Sequence, residues 1–254
     1  MTPTTDATSA LNALRQEHAA FLRVVAHALR TPLQSLQGFA EMLEPGLPPA
    51  QVEHYLSFIK RDTAHLAAVV DDLCLRHELE RGALVLFPAA IDVGAILVEL
   101  AGSFEARLPD CVVGFEYADD LPAAFADPDR LLHILGTLLL NAERCRPSAR
   151  GPGWLTINAR HEPVARQVVF VVDDDGPRVP AEYAAALFEP FPILPAALGR
   201  PRHGIGLGLY AAREVARQMG GDVCLSSEMG ASGRQFGNAF VARVPAFAGQ
   251  VGHA

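Results

Sequence analysis

Residues 21–43 read FLRVVAHALRTPLQSLQGFAEML, and apolar side chains recur in this stretch at alternating intervals of three and four residues. Such spacing places the apolar side chains along one face of a helix and favours packing against other helices. The seam consists of Leu22, Val25, Leu29, Pro32, Leu36, Phe39 and Leu43. The stretch therefore predicts a helix that needs a partner to bury its apolar face.

The segment after this helix contains the helix-breaking run Glu44-Pro45-Gly46-Leu47-Pro48-Pro49, and the same spacing then resumes. The second seam consists of Val52, Leu56, Ile59, Thr63, Leu66, Val70 and Leu73. Together the two seams predict a helical hairpin from about residue 9 to residue 80. One hairpin leaves a seam open along both helices, so we expect two copies to pair into a four-helix bundle, as a homodimer.

Beyond Arg81 and Gly82 the pattern changes to short strand-like runs that alternate with helical stretches. The predicted strands are Leu84–Phe87, Val112–Tyr117, Leu155–Ala159, Gln167–Asp173, Val223–Ser226 and Ala239–Val244, and the predicted helices lie near Val93–Arg107, Pro128–Arg144 and Leu207–Met219. This alternation predicts an α+β sandwich, with helices packed on one face of a sheet. We therefore expect two domains, a helical hairpin at residues 1–81 and a sandwich at residues 82–254.

Composition excludes several classes of protein. The 254-residue chain is half hydrophobic and carries a formal net charge of -8, so we expect a globular protein that does not bind nucleic acid. Its four cysteines lie far apart without metal-ligand spacing, which indicates reduced thiols in the cytoplasm rather than a zinc site. The N-terminus lacks signal-peptide features, and the apolar run from Leu131 to Leu140 is too short to insert into a membrane.

His27 is the first candidate for chemistry. With Val25 and Leu29 on the seam, it falls on the opposite, solvent-facing side of the helix, and Thr31 follows one turn later on that side. An exposed imidazole is nucleophilic near neutral pH and open to a partner. A surface histidine without a role is the alternative interpretation.

The run His27-Ala28-Leu29-Arg30-Thr31-Pro32-Leu33 resembles the H-box of sensor histidine kinases, whose usual form is Ser-His-Glu-Leu-Arg-Thr-Pro-Leu. The resemblance implies that His27 accepts a phosphoryl group from ATP and passes it to an aspartate of a response-regulator receiver domain. It also implies that Thr31 positions the water that hydrolyses the phosphorylated partner. Ala28 stands where the family has an acidic residue that helps to deprotonate the imidazole, so autophosphorylation is expected to be slow or absent.

Residues 127–144, DPDRLLHILGTLLLNAER, resemble the N-box helix of the same family. The resemblance implies that Asn141 contacts a phosphate or Mg²⁺ and that Arg144 stands near the family's phosphate-binding lysine. Thr137 occupies the position of the family's second Asn, commonly a magnesium ligand. A hydroxyl is a weaker ligand for Mg²⁺ than an amide oxygen, so Asn141 and Thr137 are expected to form a weakened metal site.

The remaining boxes follow in the family's order. Residues 172–180, VDDDGPRVP, resemble the G1 box, which implies that Asp174 accepts a hydrogen bond from the adenine amino group and that Gly176 makes the turn. Arg178 replaces the family's second glycine, where it either pairs with a phosphate or obstructs the base. Residues 187–191, LFEPF, resemble the F-box, with residues 192–203 as the lid over ATP. Three glycines then open a helix and would let backbone N–H groups reach phosphates: Gly204, Gly206 and Gly208.

Two functions remain open at this point. The first is a histidine kinase core that uses ATP and Mg²⁺ and receives its stimulus from an upstream sensor protein. The second is a phosphotransferase or adaptor that keeps the dimeric stem and His27 but has lost ATP turnover, an interpretation favoured by Ala28, Thr137 and Arg178. A gyrase- or chaperone-like ATPase without histidine chemistry would leave the H-box unexplained.

Overall fold

The computed structural model describes residues 4–104, 111–144, 153–192, 206–226 and 237–248. The described residues fall into two compact units, of which the first ends at Asp71 and the second starts at Asp72. The unit boundary therefore lies inside a helix, and the predicted domain boundary at residue 81 stays a prediction.

The first unit is a helical hairpin. Helix α1 spans Thr4–Glu41 and helix α2 spans Pro49–Glu80, so α1 starts earlier than the sequence indicated and α2 ends where it was expected. Near the turn, the ring of Phe39 stacks on Phe58 at 4.5 Å between centroids and lies 5.9 Å from the ring of Tyr55. These contacts join the end of α1 to the first turns of α2 and thereby hold the two helices side by side in an antiparallel pair.

The hairpin leaves part of its predicted seam uncovered. Leu22, Leu56 and Val70 are 51%, 39% and 49% exposed, whereas Val69 is buried. Pro32 is buried within α1, which continues through it. A single hairpin thus exposes apolar side chains that another surface could cover.

The second unit is an α/β sandwich. Its strands and helices, in chain order, are β1 (Ala89–Ile91), α3 (Val93–Phe104), β2 (Cys111–Tyr117), β3 (Ala124–Ala126), α4 (Pro128–Arg144), β4 (Gly153–Glu162), β5 (Gln167–Asp173), α5 (Gly208–Gln218), β6 (Asp222–Leu225) and β7 (Ala239–Pro245). The main sheet has the order β2-β4-β5-β7-β6, with β2 and β4 parallel and the other neighbours antiparallel. β1 and β3 form a separate antiparallel pair. The predicted fold class is confirmed.

One predicted strand is wrong. Residues 84–87 form no strand, and the first strand is the three-residue β1, which starts at Ala89. The N–H of Phe87 donates to Oδ2 of Asp127 at 2.8 Å instead of to a neighbouring strand. The segment is therefore extended and tied to the start of α4 without belonging to a sheet.

The core lies between the main sheet and its helices. Alternation along β5 directs Val168, Phe170 and Val172 toward the helices, whereas Val169 and Val171 belong to a smaller cluster on the other face. Helix α4 supplies fully buried side chains at helical spacing, namely Leu131, Ile134, Leu135, Leu138, Leu139 and Ala142. Asp127 starts this helix, because its Oδ1 accepts the N–H of Arg130 at 3.1 Å and Pro128 occupies the first helical position.

Helix α3 offers a matched test of this core. Leu97 is 1% exposed and its neighbour Val98 is 69% exposed. We expect Leu97→Ala to lower the free energy of unfolding by about 2 to 5 kcal/mol, because it removes buried methyl groups and leaves a cavity. Val98→Ala should change it by less than about 0.5 kcal/mol. Denaturant titration of both variants is the measurement, and equal losses would contradict the packing of α3.

Candidate phosphoacceptor and nucleotide sites

His27 lies on an exposed surface of the hairpin, as predicted. Thr31 is also exposed, and its hydroxyl donates to the backbone carbonyl of His27 at 3.2 Å. This bond is the helical pattern in which a Thr hydroxyl returns to the carbonyl four residues earlier. Both side chains are therefore accessible to a partner, and the lone pairs of the Thr31 oxygen stay available as acceptors.

Asp174 is a buried ionisable group at the end of β5. It follows β5 directly, and its side chain is buried at 4% exposure. Its Oδ1 accepts the backbone N–H of Gly176 at 2.8 Å and that of Asn238 at 3.0 Å. Burial raises the pKa of Asp174 from 3.8 to about 6, and these hydrogen bonds hold it from rising further. At neutral pH the group is consequently an ionised acceptor in a largely dry place.

The raised pKa links Asp174 to folding stability. Since the folded-state value exceeds the ordinary one, folding favours the protonated form. The contribution of Asp174 to stability is therefore fully present below pH 3.8 and is lost as the pH rises through about 6. At neutral pH the ionised Asp174 therefore destabilises the folded state. A destabilising buried carboxylate is more typical of a functional site than of a structural ion pair.

Asn238 is a site residue that the sequence analysis missed. Its amide Nδ2 donates to both carboxylate oxygens of Asp174, at 3.1 and 3.2 Å, and to the carbonyl of Pro177 at 2.9 Å. Its Oδ1 accepts the N–H of Val179 at 2.8 Å. One amide thus fixes both the carboxylate and the loop that follows it. The sequence offered one local signal, the glycine immediately before Asn238.

Gly237 permits this arrangement. Its φ is +113°, and a Cβ at this position would lie 1.7 Å from the carbonyl oxygen of Asp174. No side chain fits in that space, and L residues rarely adopt that backbone conformation. The two strand ends can therefore approach closely only with glycine at this position.

The half-buried face of α4 carries the other predicted ligands. Thr137 and Asn141 are partly exposed and lie one turn apart, whereas Leu138 and Leu139 between them are fully buried. The γ-methyl of Thr137 lies 3.1 Å from where a Cβ of Gly208 would be. This face of α4 therefore adjoins the start of α5.

The start of α5 has the features expected of a phosphate-binding turn. Gly206 has a φ of +71°, its carbonyl accepts the N–H of Phe191 at 3.2 Å, and a Cβ on it would lie 2.8 Å from Cδ of Pro192. Leu187 and Phe188, which belong to the predicted F-box, are buried. Arg178, which belongs to the predicted G1 box, is exposed. Gly204, the side chain of Arg144 and the predicted lid beyond Pro192 lie outside the described residues.

The described residues bring together two groups of predicted site residues within the sandwich, Asp174 with Gly176 and Thr137 with Gly208. His27 and Thr31 belong to the other unit. No set of three or more metal-ligating His, Cys, Asp or Glu side chains occurs among the described residues. In the same part of the chain, no helix is both long and apolar enough to cross a membrane.

A helical hairpin with an exposed histidine, followed by a sandwich with a buried carboxylate and a glycine-opened helix, defines a class in which a phospho-acceptor unit precedes an ATPase unit. Residues 17–82 match the His Kinase A (phospho-acceptor) domain. Residues 126–247 match the histidine kinase-, DNA gyrase B-, and HSP90-like ATPase. The chain belongs to the sensor histidine kinase family.

Curated relatives agree with this assignment. The aerobic respiration control sensor protein ArcB of Escherichia coli is 26% identical over 87% of this chain and 28% of its own length. The sensor protein CreC of Escherichia coli is 30% identical over 81% of this chain and 42% of its own length. The chain thus spans less than half the length of these relatives.

Among solved structures, full-length ShkA in complex with AMPPNP superposes with a TM-score of 0.60 at 26% identity. The superposition covers 91% of this chain and 47% of ShkA. The fold of the hairpin and of the sandwich is therefore shared with ShkA along nearly the whole chain.

The burial of Asp174 and its hydrogen bonds from Asn238 can be tested by titration. We expect the carboxyl carbon of Asp174, followed by NMR, to titrate with a pKa of about 6. Asn238→Ala should raise this pKa further, because it removes amide donors that favour the ionised form. Asn158→Ala is the matched control, since its amide binds Glu116 on the exposed side of β4. A wild-type midpoint near 4 would contradict the burial of Asp174.

Proposed function

We propose that this chain is a two-component histidine kinase core, which transfers the γ-phosphoryl group of ATP to His27 and then to an aspartate of a response-regulator receiver domain. The observation that carries the proposal is the presence, in one chain, of an exposed H-box histidine and a buried, ionised Asp174 suited to adenine. We assign residues 1–81 to the phosphoacceptor hairpin and residues 82–254 to the ATP-binding domain.

Asp174 recognises the base in this proposal. An amino group in a pocket needs an acceptor without competing protons, and at neutral pH the Asp174 carboxyl is ionised because its pKa is about 6. Its remaining acceptor capacity, beside the donors from Gly176 and Asn238, receives the adenine amino group. Below pH 6 the protonated group would lose this preference, so adenine binding should weaken there.

The phosphates and Mg²⁺ occupy the region between α4 and α5. We propose that Asn141 and Thr137 hold the ion, that Arg144 contacts a phosphate, and that Gly204, Gly206 and Gly208 let backbone N–H groups reach phosphate oxygens. An amide and a hydroxyl on one half-buried helical face fit Mg²⁺, which takes few protein oxygens and completes its shell with water and phosphate. When bound, the ion neutralises charge that develops on the phosphoryl oxygens.

The transfer itself needs little covalent chemistry from the protein. A neutral imidazole nitrogen of His27 forms a bond to the γ-phosphorus while the bond to the bridging oxygen breaks, and ADP leaves with that electron pair. The other imidazole nitrogen loses its proton to solvent, because Ala28 provides no carboxylate. The phosphoryl group then passes to a receiver aspartate, and Thr31 positions the water that later hydrolyses the acyl phosphate.

Partners follow from the exposed surfaces of the hairpin. The accessible face around His27 suits a receiver domain, and the exposed seam residues Leu22, Leu56 and Val70 suit a second copy of the hairpin. We therefore propose a homodimer that receives its stimulus from an upstream sensor protein. We also propose that it acts in the cytoplasm, where ATP and response regulators are available.

The decisive experiment incubates the full chain with γ-labelled ATP and Mg²⁺ and follows acid-labile protein label. We expect label in the wild type and none in His27→Gln, because glutamine has no nucleophilic ring nitrogen. His18→Gln, at another exposed histidine of α1, is the matched control and should keep the label.

A different result would select the alternative. If the wild type never acquires label from ATP, while a phosphorylated receiver domain still transfers its phosphoryl group to His27, the chain is a phosphotransferase without ATP turnover. The matches to both domain families do not favour that alternative, and the distinction rests on this assay.

Restoring an acidic residue beside the histidine tests the proton-transfer step. We expect Ala28→Glu to accelerate autophosphorylation at least tenfold, since a positioned general base typically contributes about 10²–10⁴-fold. Ala26→Glu adds the same charge on the other side of His27 and should not reproduce the gain. Initial rates of label incorporation are the measurement, and equal rates for Ala28→Glu and the wild type would show that proton removal does not limit the reaction.

A further inference from the structure

The last turns of α2 are built into the ATPase unit. Leu75 is 3% exposed within the sandwich core, and Glu78 pairs with Arg130 of α4 at 3.4 Å. The guanidinium of Arg76 lies 5.0 Å from the ring centroid of Phe191, just before the predicted lid. These contacts anchor the end of α2 beside both α4 and the turn that leads to α5.

Asp72 is the first residue of this anchored segment, and its carboxylate lies at the start of α5. A Cβ built on Gly208 would lie 3.5 Å from Oδ2 and 3.9 Å from Oδ1 of Asp72, and 3.1 Å from the γ-methyl of Thr137. The other neighbour is His133 of α4, whose Nε2 is 4.0 Å from Oδ1 of Asp72. The side chain of Asp72 is 19% exposed, so most of it is shielded from water. A carboxylate is thus already present where nucleotide phosphates are proposed to bind.

Electrostatics explain why the carboxylate is stable there. Leu207, at the cap position of α5, supplies no side-chain hydrogen bond to the first turn. The first N–H groups of a helix carry a partial positive charge, which favours an anion beside them. Asp72 supplies that anion from within the chain, and a phosphate would supply it equally well.

The Asp72 carboxylate and a nucleotide phosphate compete for the N-terminus of α5. Two negative groups a few ångströms apart repel each other, and the repulsion grows where water is partly excluded. A triphosphate at the start of α5 therefore destabilises the contact of the Asp72 carboxylate with the first turn of α5, and Asp72 lowers the affinity for the triphosphate.

We propose that Asp72 is an internal competitor of the nucleotide phosphates, an autoinhibitory contact made by the end of α2 at the N-terminus of α5. The inference rests on the proposed function, because it takes the start of α5 as the phosphate site. Binding of ATP displaces the Asp72 carboxylate from Gly208. Since Asp72 belongs to the helix that forms the second half of the hairpin, nucleotide occupancy and the anchoring of α2 oppose each other.

A different role of the Asp72 carboxylate predicts the opposite effect on nucleotide affinity. If Asp72 served as a magnesium ligand beside Thr137, it would strengthen nucleotide binding. The geometry favours competition, because the Asp72 carboxylate lies against Gly208 in the first turn of α5, where phosphate oxygens are proposed to bind.

The test measures the affinity of the full chain for AMPPNP with Mg²⁺, and for adenosine, by calorimetry. We expect Asp72→Asn to bind AMPPNP about threefold to tenfold more tightly, the range expected for one charge at a helix start. Adenosine affinity should not change, because adenosine carries no phosphate. Asp71→Asn removes the same charge from an exposed neighbour on α2 and should leave both affinities unchanged. Asp72→Ser is a second variant that keeps a small polar side chain if the amide disturbs packing.

The outcomes separate this inference from the proposed function. Wild-type binding of AMPPNP with unchanged affinity in both Asp72 variants would overturn the competition and leave the kinase proposal intact. Weaker binding in Asp72→Asn that depends on Mg²⁺ would instead identify a metal ligand. An equal gain for AMPPNP and adenosine would reveal a general effect on the pocket and also overturn the competition. Failure of every variant to bind AMPPNP would overturn both proposals.

Discussion

The buried carboxylate of Asp174 is the interaction on which the geometry at this end of the sandwich depends. It lies beyond the end of β5, and the donors that satisfy it come from Gly176 in the following loop and from Asn238 at the start of β7. A buried charge without such donors would cost several kcal/mol. The approach of β7, the glycine at position 237 and the path of residues 176–179 are all consequences of keeping that carboxylate hydrogen-bonded.

Helix α4 has two faces with different roles, one packed in the core and one carrying candidate site residues. The apolar face is fully buried against the sheet, which fixes the rotation of the helix about its own axis. That packing places Thr137 and Asn141 on the remaining face, where Thr137 adjoins Gly208. The site geometry is thus set by hydrophobic packing, and polar residues can be exchanged on that face without disturbing the core. This freedom explains how Thr can stand at position 137 in an otherwise intact fold.

Residues close in sequence were predicted well, and residues joined only by tertiary structure were not. The ends of β5 and α4 agree with the sequence, because alternation and helical spacing are local signals. Asn238 was missed because its role depends on a pairing between β5 and β7 that brings it to a carboxylate 64 residues earlier in the chain. Residues 84–87 resembled a strand because their alternation reflects an extended segment, which is held by Asp127 rather than by a neighbouring strand.

The departures from the family at Ala28 and Thr137 affect different parts of the reaction. Phosphoryl transfer depends mainly on positioning and on neutralising charge, so under the proposed function the absence of a carboxylate beside His27 is expected to slow the reaction without changing its course. A missing general base accounts for about 3 to 5 kcal/mol of barrier at most, if each factor of ten is taken as 1.36 kcal/mol. In the proposed site, Thr137 is the weaker magnesium ligand and lies at the same end of α5 where Asp72 adds negative charge. Under that proposal both features act on the triphosphate and not on the base held by Asp174. The proposed recognition of the base by Asp174 and the proposed binding of the phosphates between α4 and α5 therefore depend on separate parts of the sandwich, so each can be altered without the other.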